Sequence, residues 1–328
     1  MKRLCILIAF LCWASTAQAF ELALPLACTI GPDCFVQNHF DADPGKDAAD
    51  YTCGSLTYDG HIGTDFRIPR DMMDRGVPVL AATDGVVLRT RDGMPDVNVR
   101  QAGLDTVNGR GAGNSVIVDH GDGWSTQYSH LRQGSVAVKP GDSVAKGQQI
   151  GLVGLSGMTE FPHVELVVRY HGMALDPFVG VRAASGCGGE RHPLWDEATR
   201  QTLVYLPSGV LGHGFAASPA GLNAVRVGRQ PETRLASDSR ALVFWASAFG
   251  VRAGDVEMLA ITTPDGRELA RYSAPLAKHQ AQRMHYVGKR LRTGRWPVGT
   301  YTGSYTLTRM VDGVPVAVAH AVATAVVE

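Results

Sequence analysis

Short β-rich runs cut apart by Gly, Pro and Asp fill the chain from Tyr51 to Phe178, and this punctuation limits the fold more than any other feature. Runs so brief do not stand alone as helices, whereas turn residues at their ends favour antiparallel ladders. Val77–Leu88 reads as two strands around an Asp84-Gly85 turn. Ser115–Asp119 and Trp124–His130 form the next pair, joined by His120-Gly121-Asp122-Gly123. Val136–Val138, the Lys139-Pro140-Gly141-Asp142 turn, Val144 and a Lys146-Gly147 turn lead into Gln149–Val153, and Val164–Tyr170 is a further strand. The polar, Gly-rich stretch from Arg91 to Gly113 is long for a loop inside a compact domain, and we place it at the rim of a groove.

Residues 187–221 read as a connector with one helix, Pro193–Tyr205, which has Pro at its start and Asp196 and Glu197 in its first turn. From 222 to 328 strands return at Ala224–Val227, Ala241–Ala246, Val256–Thr262, Tyr301–Met310 and Val314–Val326, a spacing that suggests an immunoglobulin-like β-sandwich. The fold class expected is therefore all-β, with 38 Gly and 17 Pro in keeping with many turns. Basic and acidic residues balance at 31 each, so no cationic field marks a general nucleic-acid binder.

The first 19 residues read as an export signal: Lys2 and Arg3, an apolar run from Leu4 to Trp13, and the small-x-small site Ala17-Gln18-Ala19. The apolar run is shorter than the roughly 20 residues a membrane-spanning helix needs, and no later stretch is long enough. Residues 20–50 then form an N-terminal segment, and the expected location is the periplasm or the cell exterior. The exported chain keeps 29 basic and 31 acidic residues and the cysteines Cys28, Cys34, Cys53 and Cys187. An oxidising compartment favours disulfides, and of the pairings open to four cysteines a local Cys28–Cys34 loop with a Cys53–Cys187 clasp is expected. A zinc site made of all four lacks any C-x-x-C pair.

In His61-Ile62-Gly63-Thr64-Asp65, an extended backbone sends positions 61, 63 and 65 to one face, so His61 and Asp65 converge across side-chain-free Gly63. A strand can offer zinc two ligands in this way, although a surface pair has the same spacing. His163 and Glu165 share a face of another strand, with Val164 and Leu166 turned to the core. His130 ends the run that begins at Gln127. Singly, His130 and His163 fit structural histidines; three such elements in Gly-rich surroundings point to a common site.

Taken in order, several motifs resemble the lysostaphin/LytM-type zinc endopeptidases over roughly residues 51 to 180. They are His61-x-x-x-Asp65, the Tyr-x-His of Tyr128 to His130, the hairpin Val138–Gln148, and Gly154-Leu155-Ser156-Gly157 followed by Phe161-Pro162-His163-x-Glu165. The resemblance implies a twisted antiparallel β-sheet with a groove over residues 51–186 and one Zn²⁺ per chain, held by a His, an Asp and the last His of an H-x-H pair. It also implies two further histidines that assist the attacking water, and peptides of bacterial peptidoglycan as substrate. Carried over, His61 and Asp65 match metal ligands, and His130 and His163 match the catalytic pair.

Glu165 stands where the family has the second His of H-x-H. Glu can ligate zinc through oxygen, so a His61-Asp65-Glu165 site with an open fourth position is expected. Two carboxylates neutralise the ion, which weakens its pull on water and shifts preference toward oxygen-loving metals such as Mn²⁺. The alternative is a degenerate relative that binds peptidoglycan or activates a cell-wall amidase. A lipoyl-like adaptor, suggested by Val138–Gly151, has no lysine at a hairpin tip flanked by small residues. Gly154–Met158 lacks the last glycine of a serine elbow. His39, Asp41 and Asp43 read as a solvated acidic loop, and Trp195 and Trp245 as core anchors.

Overall fold

The computed structural model describes residues 20–31, 33–181, 186–219 and 231–328. The leader expected at 1–19 and the strand expected at 224–227 lie outside the described residues. Residues 20–50 are built into the first domain. Leu22 and Leu26 join its core, and the Leu22 N–H donates to the Leu194 carbonyl at 2.7 Å. Both expected disulfides are present, Cys28–Cys34 as a local loop and Cys53–Cys187 across the domain.

The first domain comprises β1 (Phe35–Asn38), β2 (Thr64–Arg67), α1 (Arg70–Arg75), β3 (Pro78–Leu80), β4 (Gly85–Arg91), α2 (Val99–Ala102), β5 (Asn114–Gly121), β6 (Trp124–Leu131), β7 (Ser143–Val144), β8 (Gln149–Leu152), β9 (His163–Tyr170) and β10 (Met173–Leu175). One antiparallel sheet runs β1-β2-β9-β6-β5-β4-β7, with β10 paired to β9. Period-two alternation sorts β9: Val164, Leu166 and Val168 enter a core shared with Phe66, Tyr128 and Trp195, which leaves His163 and Glu165 on the opposite face.

Four expectations need correction here. Val77–Leu88 is not a hairpin: β3 pairs with β8, while β4 pairs with β5 and β7. Val136–Val138 forms no strand, although the Ala137 N–H donates to the Ile150 carbonyl at 3.0 Å. The helix expected at Pro193–Tyr205 shrinks to α3 (Glu197–Thr202), because Leu194 and Trp195 are drawn into the core as extended chain and Asp196 caps the helix by accepting from the Thr199 N–H at 2.9 Å. The Arg91–Gly113 stretch is not a bare loop. It carries α2 and a 3-10 turn at Leu104–Val107, and it bonds to the segment that leads into β9, Val99 N–H to Thr159 carbonyl at 3.0 Å and Met158 N–H to Gly111 carbonyl at 2.7 Å.

The second domain begins inside the stretch read as a connector. Its strands are β11 (Gly209–Ala216), β12 (Arg234–Leu235), β13 (Ala241–Val251), β14 (Val256–Thr262), β15 (Glu268–Pro275), β16 (Gln280–Arg290), β17 (Gly299–Val311) and β18 (Val314–Val327). Sheets β11-β13-β16 and β12-β18-β17-β14-β15 enclose a core of Phe244, Leu259, Tyr301 and Tyr305. Two face-packed sheets, with β12 running parallel to β18 as the exception, form the sandwich expected from the spacing. Trp195 and Trp245 are both buried. The domains touch where Phe35 stacks on Phe249, ring centroids 5.1 Å apart.

Candidate active site

The site begins as one row of residues across four strands. Asn38 on β1 registers with Asp65 on β2, Asp65 with Glu165 on β9, and Glu165 with Ser129 on β6. Directly paired residues share a face, so the row points into the groove. The Asn38 amide donates to Asp65 Oδ2 at 2.7 Å, and Ser129, directly opposite Glu165, favours the charged form of that carboxyl. His163 lies two residues before Glu165 on the same face of β9.

His61 precedes β2, which starts only at Thr64, so the expected strand through 61–65 is half right. Convergence still occurs: His61 Nε2 is 3.2 Å from Asp65 Oδ1 and 3.7 Å from Glu165 Oε1. Gly63 matters for the space it leaves, because a Cβ there would meet Glu165 Cγ at 2.6 Å.

His130, at the far end of β6, has φ 64, an uncommon conformation for a non-glycine residue. It is held by its N–H to the Ala112 carbonyl at 2.9 Å and turns its Nε2 to within 3.8 Å of Glu165 Oε2. His163 Nε2 is 3.5 Å from Asp65 Oδ1, and the His130 and His163 rings are 4.6 Å apart.

All three imidazoles are held the same way. Nδ1 meets a backbone carbonyl in each: His61 that of His39 at 2.7 Å, His130 that of Ser156 at 2.8 Å, His163 that of Phe161 at 2.9 Å. A carbonyl only accepts, so each Nδ1 carries the hydrogen and each Nε2 is left facing the centre. The five expected residues, His61, Asp65, His130, His163 and Glu165, therefore meet.

Charge follows geometry. Burial opposes charge on both Asp65 and His61, but their mutual attraction outweighs it. Asp65, drawn also by His163, falls well below the carboxylate range, and His61 is raised to about 9. Glu165 is pushed up by burial and by Asp65. Burial, then His163, lowers His130 to about 3, so its ring is neutral at ordinary pH.

Among the described residues, His61, Asp65 and Glu165 form the group able to hold a metal ion, each with a ligand atom within 4.8 Å of the others. Zinc bonds of about 2.0–2.2 Å in a tetrahedron require ligand atoms roughly 3.3–3.6 Å apart. The 3.2 and 3.7 Å separations from His61 bracket that range. The donor set fits a divalent cation.

Sequence reasoning missed the support. His39 and Asp41 are buried, not part of a solvated loop. Asp41 accepts from the Ala49 N–H at 3.1 Å and the Gly60 N–H at 2.9 Å, and its own N–H donates to the His61 carbonyl at 2.8 Å, which fixes the turn that presents His61. The His39 ring sits among Tyr51, Phe178 and Tyr205, and burial, against the pull of Asp50, lowers its pKa to about 4. Tyr58 stacks on His61 at 4.4 Å between ring centroids.

Residues 59–177 match the model of peptidase family M23. A 111-residue stretch is 39% identical to the peptidoglycan DD-endopeptidase ShyA of Vibrio cholerae, covering 33% of this chain and 20% of that protein. Another, of 108 residues, is 32% identical to the cell division protein DipM of Caulobacter vibrioides, covering 33% of this chain and 14% of that protein. The chain thus spans only a small part of these relatives. Among solved structures, a catalytic domain of the prophage-encoded M23 protein EnpA from Enterococcus faecalis aligns over 45% of this chain and 92% of that one, with 24% identity and a TM-score of 0.31.

Proposed function

We propose, from the premise that residues 59–177 are a peptidase family M23 domain, that the protein is a metal-dependent endopeptidase acting on peptide bonds of bacterial peptidoglycan. The observation that carries this reading is the common orientation of His61, His130 and His163, each anchored through Nδ1 and turning Nε2 toward the Asp65–Glu165 pair. In this reading His61, Asp65 and Glu165 hold one Zn²⁺. When bound, the ion supplies Lewis acidity to the scissile carbonyl and acidifies the attacking water.

The chain's own groups do the rest. His130, kept neutral by burial, accepts the water's proton at Nε2. His163, with Nε2 facing the Asp65 carboxylate, holds a proton for the departing amine. The carbonyl of His39 fixes the ligating tautomer of His61, and Asn38 orients Asp65.

A second reading draws support from Glu165. Two carboxylates cancel the charge of a divalent ion, which suits a protein that binds peptidoglycan, or activates a cell-wall amidase, without turnover. Release of soluble fragments from purified sacculi separates the two. The endopeptidase reading predicts release by wild type and none by His130→Ala or His163→Ala, both still carrying metal. Sacculi bound by the metal-loaded wild type but left intact would favour the silent binder.

The two disulfides suit export to an oxidising compartment, with the periplasm or the exterior as the site of action. Among the described residues no helix is long and apolar enough to cross a membrane.

A further inference from the structure

Charge is split unevenly between the two domains. Residues 209–328 carry 14 Lys and Arg against 8 Asp and Glu, whereas residues 20–208 carry 15 against 23. Among the described residues, ion pairs join Glu328 with Arg234, Asp265 with Arg267, Glu268 with Arg271, Glu257 with Arg283, and Asp255 with Arg309. Arg240, Lys289, Arg290, Arg292 and Arg295 are all exposed and make no ion pair among the described residues.

These five cations gather at one end of the sandwich. Lys289 and Arg290 close β16 opposite Leu242 and Ala241, and the Arg240 carbonyl accepts from the Leu291 N–H at 2.9 Å. The loop that bears Arg292 and Arg295 is pinned by buried Trp296, whose backbone N–H reaches the Ser237 carbonyl at 2.8 Å and whose indole N–H reaches the Ser239 carbonyl at 2.8 Å. Asp238, also exposed, is the acid nearest in sequence to Arg240. The cations are thus carried on backbone that is already fixed, which lowers the cost of ordering them on a ligand.

This end of the sandwich lies at the opposite end of β13 from its stacking contact with the peptidase domain. Phe249, near the other end of β13, is the residue that stacks on Phe35. From Ala241 to Phe249 the strand advances about 27 Å at its usual rise per residue. The cluster thus sits at the opposite end of β13 from the Phe35–Phe249 contact.

We propose that this cationic end of the sandwich binds the carboxylate-bearing peptides of the cell-wall polymer; the choice of polymer rests on the peptidoglycan reading above. An acidic peptidase domain is repelled by such a polyanion, and a basic module on the same chain offsets that repulsion. Its contact also raises the effective concentration of the groove at the polymer.

The test is co-sedimentation of the full chain with purified sacculi at low and high salt. It compares wild type, the triple variant Arg290→Glu/Arg292→Glu/Arg295→Glu, and the triple Arg→Lys variant at the same positions. Wild type and the Lys variant should sediment in a salt-sensitive way, and the Glu variant should bind about tenfold more weakly or worse, with an unchanged melting temperature. The proposal is overturned if the Glu variant sediments like wild type, if binding ignores salt, or if wild type binds anionic phospholipid vesicles and not sacculi. Sedimentation needs no turnover, so failure of the peptidase reading is scored separately, as absence of released fragments.

Discussion

Asp65 and Glu165 are direct partners across neighbouring antiparallel strands, on the face that also carries His163. Two carboxylates in such positions repel one another, and the surrounding structure must compensate. Asn38 and Ser129 continue the row on either side, Asn38 donating to Asp65, while His61 lies between the oxygens of the two carboxylates. A divalent cation would resolve the repulsion at its source, and the predictions below follow from that.

Glu165→His restores the second imidazole of an H-x-H pair and removes one negative charge from the centre. We expect the fold to survive, since the position faces the groove, and zinc affinity or the rate on sacculi to rise by about tenfold or more. Titration with a competing chelator and a fragment-release assay check this. No change in either would mean that position 165 is not a ligand.

Gly63→Ala introduces a Cβ that would sit 2.6 Å from Glu165 Cγ and 3.0 Å from its Oε1. Glu165 must move, so metal binding should weaken while stability falls by only about 1–2 kcal/mol. Chemical denaturation beside metal titration separates the two effects. Wild-type affinity in Gly63→Ala would show that the Glu165 position is not critical.

Asn38→Ala removes the donor to Asp65 Oδ2. Loss of a support of this kind costs roughly tenfold to a hundredfold in metal affinity, with a stability loss of about 1 kcal/mol. Asn38→Asp should be worse than Ala, because it sets another carboxylate beside Asp65. Competition titrations of both variants test this, and equal affinities for Ala, Asp and wild type would remove Asn38 from the site.

The metal-free protein should lose stability in mild alkali. His61 is raised to about 9 in the fold, from an ordinary 6.5. Its contribution is fully present below about pH 6.5 and is lost as pH rises through about 9, because the folded state then gives up a proton the unfolded chain has already released. Melting temperatures recorded across that window should decline for wild type and stay flatter for His61→Gln. Metal affinity should move the opposite way and rise with pH, since binding at Nε2 displaces that proton.

That His61, Asp65, His130, His163 and Glu165 converge was legible in the sequence because they sit in short motifs whose spacing survives folding. His163-x-Glu165 needs only the period of a strand, and His61-x-x-x-Asp65 holds even though His61 lies before β2. Asn38 was not legible, because it acts through its register with β2, and His39 serves through its backbone carbonyl, which any residue could provide. The Val77–Leu88 misreading has a similar origin: β3 finds its partner in β8, far along the chain, while the local Asp-Gly signal suggests a hairpin. β15 and β16 escaped notice because polar and exposed residues interrupt their alternation, so packing across the sandwich, not pattern, defines them.

Metal content decides the central claim. Elemental analysis of the purified chain, after loading and removal of free ions, should find about one divalent ion per wild-type molecule. His61→Ala and Asp65→Ala should lose it, whereas His130→Ala and His163→Ala should keep it. Stoichiometric metal in both ligand variants, or none in folded wild type, would contradict the account.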